Sequence, residues 1–204
     1  QENRENGNQM LKIILATSNP HKVEEINKIT YGLGLEFVLP HGDFDPVEDG
    51  STFEENAIIK AIKANKDTNL LTLADDSGLC VEALNGEPGI HSARYAGTQT
   101  KKIQKLLAAL KDVPEEKRGA KFVCAMVLLS PEGEILFLDR GECFGQISFE
   151  PKGTNGFGYD PIFLVEGGDL TMAELPEDVK NAISHRAVAL QKVIAFLKHY
   201  NMNK

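Results

Sequence analysis

Short apolar runs and amphipathic stretches alternate along this chain, a pattern typical of strands that alternate with helices. The apolar runs predict strands at 11–16, 35–39, 70–74, 79–84, 122–129 and 135–138, and the last of them can extend to 147. Apolar spacings of three and four predict helices at about 20–31, 52–67, 103–110 and from 184 onward. Early alternation followed by a long hairpin favours an α/β fold with a mixed sheet.

Capping residues mark the first two helix starts. Thr17-Ser18-Asn19 precede Pro20, which suits a first helical turn. In that helix we expect the inward side chains to be those of Val23, Ile26, Ile29 and Thr30. Thr52 and Glu55 fit a capping box for the second helix. Its apolar stripe is predicted to consist of Phe53, Ala57, Ile58, Ala61 and Ile62.

Length and charge limit the classes of protein. The 204 residues fit one domain or two closely joined lobes. Residues 1–10 are interpreted as an N-terminal extension to a domain at 11–204. The net charge of −8 argues against a groove for DNA or RNA, and no apolar stretch approaches the roughly 20 residues of a membrane span. Three cysteines without a CxxC pair are interpreted as reduced core thiols of a cytoplasmic protein.

The segment Thr17–Lys22 (TSNPHK) is the first candidate for chemistry. It lies where a strand is predicted to end and a helix to begin, and unpaired N–H groups at a helix start attract phosphate. Hydroxyl, amide and ammonium groups of the segment could complete a phosphate cradle. The alternative is an ordinary helix cap followed by a surface lysine. The spacing of a P-loop is absent.

Adjacent carboxylates follow the third predicted strand. Asp75 and Asp76 are costly there unless they are solvated, paired or bound to a cation. On a regular strand they would point to opposite faces, so we expect the chain to bend at 75–78. Glu48, in the acidic loop before the second helix, could supply another oxygen ligand to the same cation. A turn capped by aspartates, with Glu48 solvated, is the alternative.

Two later segments are candidates for contact with a base. Gly153–Asp160 (GTNGFGYD) combines three glycines with two aromatic residues, which suits close approach to a flat ring. Lys180 and the run Ser184-His185-Arg186 could bind phosphate or donate hydrogen bonds to a base carbonyl. A glycine-rich turn and a capped helix with solvated cations are the alternatives.

Taken together, these motifs resemble the inosine/xanthosine triphosphate pyrophosphatase family. The matching segments are TSNPHKVEEI, EDGSTFEENAIIKA, LADDSGLCVEALNGEPGIHSARYAG, GTNGFGYDPIF and AISHRAVAL. They stand in the family's order and span most of the chain from residue 11 to about 197. Two positions differ from the usual motifs, since Ser18 and Asn155 stand where the family often has glycine.

The resemblance implies an activity: hydrolysis of ITP, dITP and XTP to the monophosphate and pyrophosphate with Mg²⁺. It also implies an elongated mixed sheet flanked by helices, two lobes around a central cleft, and a homodimer. It assigns the role of general base to Asp76. It assigns the binding of the metal ion to Glu48 and Asp76, with Asp75 as a further candidate ligand. The substrate-binding residues that it implies are Thr17, Ser18, Asn19, Pro20, His21, Lys22, Lys60, Ser77, Phe157, Gly158, Tyr159, Asp160, Lys180, His185 and Arg186.

Two other functions compete with this one. The first is a pyrophosphatase for modified pyrimidine triphosphates, as in the related Maf-type proteins, which would form similar products. The second is a non-catalytic nucleotide sensor that uses the same residues. Only a panel of substrates separates the first from the purine pyrophosphatase, and Mg²⁺-dependent release of pyrophosphate from ITP would exclude the second.

Overall fold

The computed structural model describes residues 10–202, so the predicted extension at 1–10 lies outside the described residues apart from Met10. The strands are β1 (Leu11–Leu15), β2 (Leu35–Val38), β3 (Leu71–Val81), β4 (Gly119–Leu129), β5 (Ile135–Ile147) and β6 (Phe163–Val165). The α-helices are α1 (Pro20–Ile29), α2 (Phe53–Asn65), α3 (Gln99–Ala109), α4 (Glu177–Ile183) and α5 (His185–Met202). None of the helices in this range is long and apolar enough to cross a membrane.

The six strands form one sheet in the order β2-β1-β3-β4-β5-β6. β1 runs parallel to both of its neighbours, with Leu11 opposite Leu35 of β2 and Ile13 opposite Leu71 of β3. β5 and β6 are antiparallel. The sheet is therefore mixed, and the predicted α/β class with helices flanking a mixed sheet is confirmed.

The hairpin of β4 and β5 is also confirmed, in its longer form. The turn between them closes with a 2.7 Å hydrogen bond from the Ser130 N–H to the Glu134 carbonyl. Gly133 has a φ of 90°, which a residue without a side chain adopts at little cost. The second strand continues to Ile147, so the extension that the sequence allowed is real.

The bend that we expected at 75–78 is wrong. β3 is one strand of 11 residues that continues through Asp75-Asp76-Ser77-Gly78. The carboxylate of Asp75 is buried, but it is paired with a lysine. Gly78 lies in a crowded position that fits a residue without a side chain. Neither residue therefore requires the chain to turn. The extended structure that we expected at 79–84 ends at Val81, and a 3₁₀ turn occupies Glu82–Leu84.

Two predicted core residues face solvent instead. Ile29 is 51% exposed at the last turn of α1, whereas Ile26 and Thr30 are buried and the Thr30 hydroxyl donates to the Ile26 carbonyl. Ile62 is 57% exposed on α2. Ile62 lies about 100° around the helix from Ala61, outside the buried face of α2. That face consists of Phe53, Asn56, Ala57, Ala61, Ala64 and Asn65.

Contacts divide the described chain into two compact units, each with its own core. The first unit contains the described residues up to 50, with 54–75 and 127–138, and α2 packs there on β1, β3 and β4. The second unit contains 51–53, 76–126 and the described residues from 139 on. Its core joins α3 to β3, β4, β5 and β6. That these units are two lobes of a single domain stays a prediction.

Candidate active site

The start of α1 has the cap that the sequence predicts. The Asn19 side chain accepts the His21 N–H at 3.0 Å, Pro20 takes the first helical position, and the Asn19 N–H donates to the Thr17 hydroxyl at 3.1 Å. Ser18, Pro20 and His21 are exposed. The segment therefore presents an accessible helix start, whose partial positive charge favours an anion.

Lys22, in the first turn of α1, forms an ion pair with Asp75 of β3. The side chains are mostly buried, at 18% and 6% exposed. Burial of a carboxylate without a cation is costly, so this pair explains how Asp75 is accommodated inside the first unit. The sequence predicted both residues at the site but did not predict that they pair.

A second ion pair joins the acidic loop to α2. Glu48 Oε1 lies 3.2 Å from Lys60 Nζ. The buried Asn56 side chain accepts the Gly50 N–H at 2.8 Å, and a Cβ on Gly50 would lie 2.7 Å from that of Glu55. Gly50 and Asn56 therefore fix the loop that carries Glu48 against α2. Sequence reasoning missed this role, although the one-turn spacing of Asn56 and Lys60 pointed to the same helix face.

Asp76 and Ser77 lie in the middle of β3. Successive strand residues point to opposite faces, so Asp76 and Asp75 are on different sides of the sheet. The Ser77 hydroxyl oxygen is buried and has no hydrogen-bond partner among the residues that the structure describes. A buried hydroxyl in this state costs free energy until a ligand or water satisfies it.

The glycine loop of the second unit is organised by Asp160. Its carboxylate is buried, accepts the Phe157 N–H at 3.1 Å and accepts Lys180 Nζ at 2.6 Å. Lys180 Nζ also lies 4.6 Å from the centre of the Phe157 ring, which is itself 62% exposed. Gly156 has a φ of 71° and leaves no room for a Cβ beside Asp160. The loop thus holds an exposed aromatic face beside a cation.

Tyr159 is directed away from solvent. Its side chain is 5% exposed, and its hydroxyl donates to the Ser92 carbonyl at 2.8 Å. Burial, with a smaller effect of Tyr95, raises the pKa of Tyr159, so the hydroxyl stays a donor at neutral pH. The neighbouring Gly158 carbonyl accepts the Gln99 side chain at 2.9 Å. Sequence reasoning did not identify Ser92 or Gln99 as partners of this loop.

The start of α5 carries His185 and Arg186. The predicted cap is confirmed, because the Ala187 N–H donates to the Ser184 hydroxyl at 3.1 Å. The His185 ring stacks on Phe122 of β4 with centroids 4.9 Å apart and an angle of 16°. The Arg186 guanidinium lies 6.0 Å from the centre of the Phe157 ring.

The predicted site residues thus form local groups within each unit. The first unit joins Lys22 to Asp75 and Glu48 to Lys60. The second gathers Lys180, Arg186 and Asp160 around Phe157. Within residues 10–202, no three carboxylate, histidine or cysteine side chains are grouped so that they could hold a metal ion by themselves.

The first unit thus presents an accessible helix start, and the second presents an exposed aromatic face beside two cations. The Ham1 family model matches residues 13–196. The chain belongs to the Ham1 family. The resemblance that the motifs indicated is thereby confirmed.

Relatives cover nearly the whole chain. A dITP/XTP pyrophosphatase of Yersinia pseudotuberculosis is 47% identical over 195 residues, which are 93% of this chain and 99% of that protein. The solved structure of a HAM1 protein from Coxiella burnetii has a TM-score of 0.86 at 43% identity and covers 93% of this chain and 100% of its own. The Staphylococcus aureus Ham1 protein has a TM-score of 0.85 at 42% identity, with 93% and 99% covered.

Proposed function

We propose that this chain hydrolyses ITP, dITP and XTP to the nucleoside monophosphate and pyrophosphate. The observation that carries the proposal is the 47% identity, over almost all of both chains, to a protein named dITP/XTP pyrophosphatase. The accessible helix start of α1 and the exposed Phe157 ring support it, since a nucleotide needs both an anion site and a flat contact.

In this proposal the segment Thr17–Lys22 and Lys60 bind the triphosphate. Both lysines face a carboxylate in the structure, so each positive charge is already placed and largely buried. Phosphate oxygens can replace the carboxylates as partners of the two ammonium groups, because charge-assisted hydrogen bonds form equally well to either. Ser77 offers its buried hydroxyl to the same substrate.

The donor atoms fit a divalent cation such as Mg²⁺. Glu48 and Asp76, with Asp75 as a further candidate, offer only hard carboxylate oxygens. Mg²⁺ is usually held by one or two carboxylates together with substrate phosphates, so it does not require a cluster of three protein ligands. The bound cation would supply partial neutralisation of the phosphate charge and a lower pKa for a nearby water.

Asp76 acts as the base in the proposed reaction. Its carboxylate orients a water and accepts the proton as the water attacks the α-phosphorus. The bond to the pyrophosphate oxygen breaks, and Lys22 and Lys60 stabilise the charge on the departing group. Positioning and electrostatics account for such a reaction without a covalent nucleophile.

Base selection is assigned to the loop 157–160 and to Lys180, His185 and Arg186. ITP and XTP carry a carbonyl at purine C6, where ATP carries an amino group. Arg186 donates to the carbonyl but would face the amino group donor to donor. A mismatch of buried polar groups can discriminate by up to about 10⁴–10⁵-fold in favourable sites.

The homodimer and the cytoplasmic location belong to the same proposal. The first rests on the family resemblance. The second is supported by Cys80, Cys124 and Cys143, none of which forms a disulfide. Light scattering coupled to size-exclusion chromatography would measure the mass of the assembly directly.

The test is pyrophosphate release from ITP, XTP, GTP, ATP and dUTP, each with and without Mg²⁺. We expect Mg²⁺-dependent release that is fastest for ITP and XTP. Preference for a pyrimidine triphosphate would favour the Maf-like alternative. Binding of ITP without any release of pyrophosphate would favour the sensor and refute the enzyme.

A further inference from the structure

Gly141 of β5 lies against the backbone of the first turn of α5. A Cβ at this position would lie 2.2 Å from the His185 carbonyl oxygen and 2.4 Å from the Ala189 nitrogen. Both atoms belong to the main chain, so no side-chain rotation can relieve the overlap. Glycine is thus required here by space and not by its backbone conformation, since its φ is outside the left-handed region.

A second strand contacts the same turn. The Phe122 ring of β4 stacks on the His185 ring, and its other neighbour is the buried Phe163, with ring centroids 4.4 Å apart. Phe122 itself is 7% exposed, so it has little freedom to move. The start of α5 is therefore fixed from two sides, by backbone contact at Gly141 and by ring contact at Phe122.

This turn carries His185 and Arg186, two of the residues to which base selection is assigned. The Arg186 guanidinium lies 6.0 Å from the Phe157 ring, on which the base would stack. Hydrogen bonds weaken steeply when a donor is displaced or tilted, so selection between a carbonyl and an amino group depends on where the turn stands.

We propose that Gly141 and Phe122 are positioning residues for base selection, because they set the place of His185 and Arg186 relative to Phe157. The inference rests on the proposed function and extends it to two residues outside the proposed set of substrate-binding residues. A methyl group at Gly141 would have to push the first turn of α5 away by about 1 Å to restore ordinary contact.

The experiment compares Gly141→Ala with a control, Leu197→Ala. Leu197 is 1% exposed and lies on α5 about three turns beyond His185, so its truncation lowers stability without changing the contacts of the first turn. The readout is the ratio of kcat/KM for ITP to that for ATP. This ratio does not change when part of the protein is merely unfolded, because both substrates see the same active fraction.

For Gly141→Ala we expect the ratio to fall by about tenfold or more, since a displacement near 1 Å can cost up to about 10²-fold in a precise site. Leu197→Ala should lose stability, measured as Tm, and keep the ratio of the wild type. A Gly141→Ala protein that folds and keeps the ratio within about twofold of the wild type would overturn the inference.

Phe122→Leu serves as the second variant, because it keeps an apolar side chain and removes the ring that stacks on His185. We expect a smaller fall in the ratio, and if Gly141→Ala does not fold, an unchanged ratio in Phe122→Leu overturns the inference. The wild type is measured first. Absence of pyrophosphate release from ITP would refute the proposed function itself, which is a different result from unchanged selectivity in an active variant.

Discussion

Asp75 and Asp76 are chemically identical neighbours whose surroundings differ. Asp75 is 4% exposed and pairs with Lys22, so its charge is balanced inside the first unit. Asp76 points to the other face of the sheet and is only partly buried. A base must exchange protons with water, and this difference favours Asp76 for that role.

The first prediction is that Asp76→Asn lowers kcat for ITP by roughly 10²–10⁴-fold, the usual contribution of a general base. The amide is nearly the same size but cannot accept a proton, so the substrate should still bind in part. Steady-state kinetics at saturating Mg²⁺ would measure this effect. Near-normal turnover in this variant would contradict the assignment of Asp76. Asp75→Asn, which removes the adjacent carboxylate, serves as the comparison.

The second prediction concerns the thiols. Burial, assisted by Asp160 and Glu166, raises the pKa of Cys143 to about 11, and burial also raises the pKa of Cys80. Thiolate is the form that reacts with alkylating reagents, and a raised pKa keeps the thiol protonated as pH increases through 8 and 9. We expect iodoacetamide at pH 8 to label Cys143 slowly in the folded protein.

Labelling should become fast in urea, where the pKa of each thiol returns to its ordinary range near 8.5. Mass spectrometry of timed aliquots would follow each cysteine separately. Rapid modification of Cys143 in native protein at pH 8 would show that the residue is not buried as described.

At the scale of elements, the end of α2 is joined to two strands by one amide. The buried Asn65 side-chain nitrogen lies 3.0 Å from the Leu70 carbonyl, 3.1 Å from the Thr72 hydroxyl and 3.0 Å from the Ser130 carbonyl, so its two N–H groups are shared among three acceptors. It thereby connects the helix to β3 and to the turn after β4.

The third prediction is that Asn65→Ala lowers the free energy of unfolding by about 2–3 kcal/mol, because buried carbonyls lose their donor. Urea denaturation followed by circular dichroism would measure this loss. As a control, Lys66→Ala changes the next residue, whose side chain is exposed, and should have an effect within about 0.5 kcal/mol. An equal loss in the two variants would mean that the amide is not the cause.

These elements also indicate which parts of the fold the sequence predicts. The apolar runs located β1, β2 and the β4–β5 hairpin to within three residues at each end, apart from the extension that was left open, because alternation and turn residues are local signals. β6 has three residues and α4 has seven, too few for a periodic pattern, and both were missed. The continuity of β3 depends on Lys22 and Gly78, which meet their partners only in the folded chain.

The candidate site shows the same contrast between residues that the sequence reveals and residues whose role appears only in the folded chain. The motifs identified the residues with chemistry, such as Lys22, Asp76 and Arg186, because their types and order are visible in the sequence. The residues that hold them in place are ordinary in type. Ser92 acts through its carbonyl and Gly141 through the absence of a side chain, so no local pattern marks either of them.

At the scale of the whole molecule, an acidic protein of net charge −8 is proposed to bind a highly charged anion. Long-range electrostatics oppose such binding, so affinity must arise locally from placed cations and from the divalent cation that accompanies the nucleotide. Local ion pairs of this kind are screened less by salt when they are partly buried, as Lys22 and Lys60 are.

The fourth prediction follows from this balance. In the wild-type protein, an ITP analogue with a non-hydrolysable α,β-imido bridge is expected to raise Tm when Mg²⁺ is present. At a concentration 100 times Kd the stabilisation is about 2.7 kcal/mol. For a protein of this size that amounts to an increase of about 5–10 °C. Differential scanning calorimetry would measure the shift.

Two controls separate the contribution of Mg²⁺ to ligand binding from the contribution of the purine base. The ITP analogue with EDTA should shift Tm much less, because the triphosphate would then meet the acidic residues without charge neutralisation. The corresponding ATP analogue with Mg²⁺ should also shift Tm less, because Arg186 cannot donate to its amino group. An equal Tm shift for the ATP and ITP ligands would leave base selection without support. An equal Tm shift with and without Mg²⁺ would show that the cation does not contribute to ligand binding, and it would leave the role of Arg186 intact.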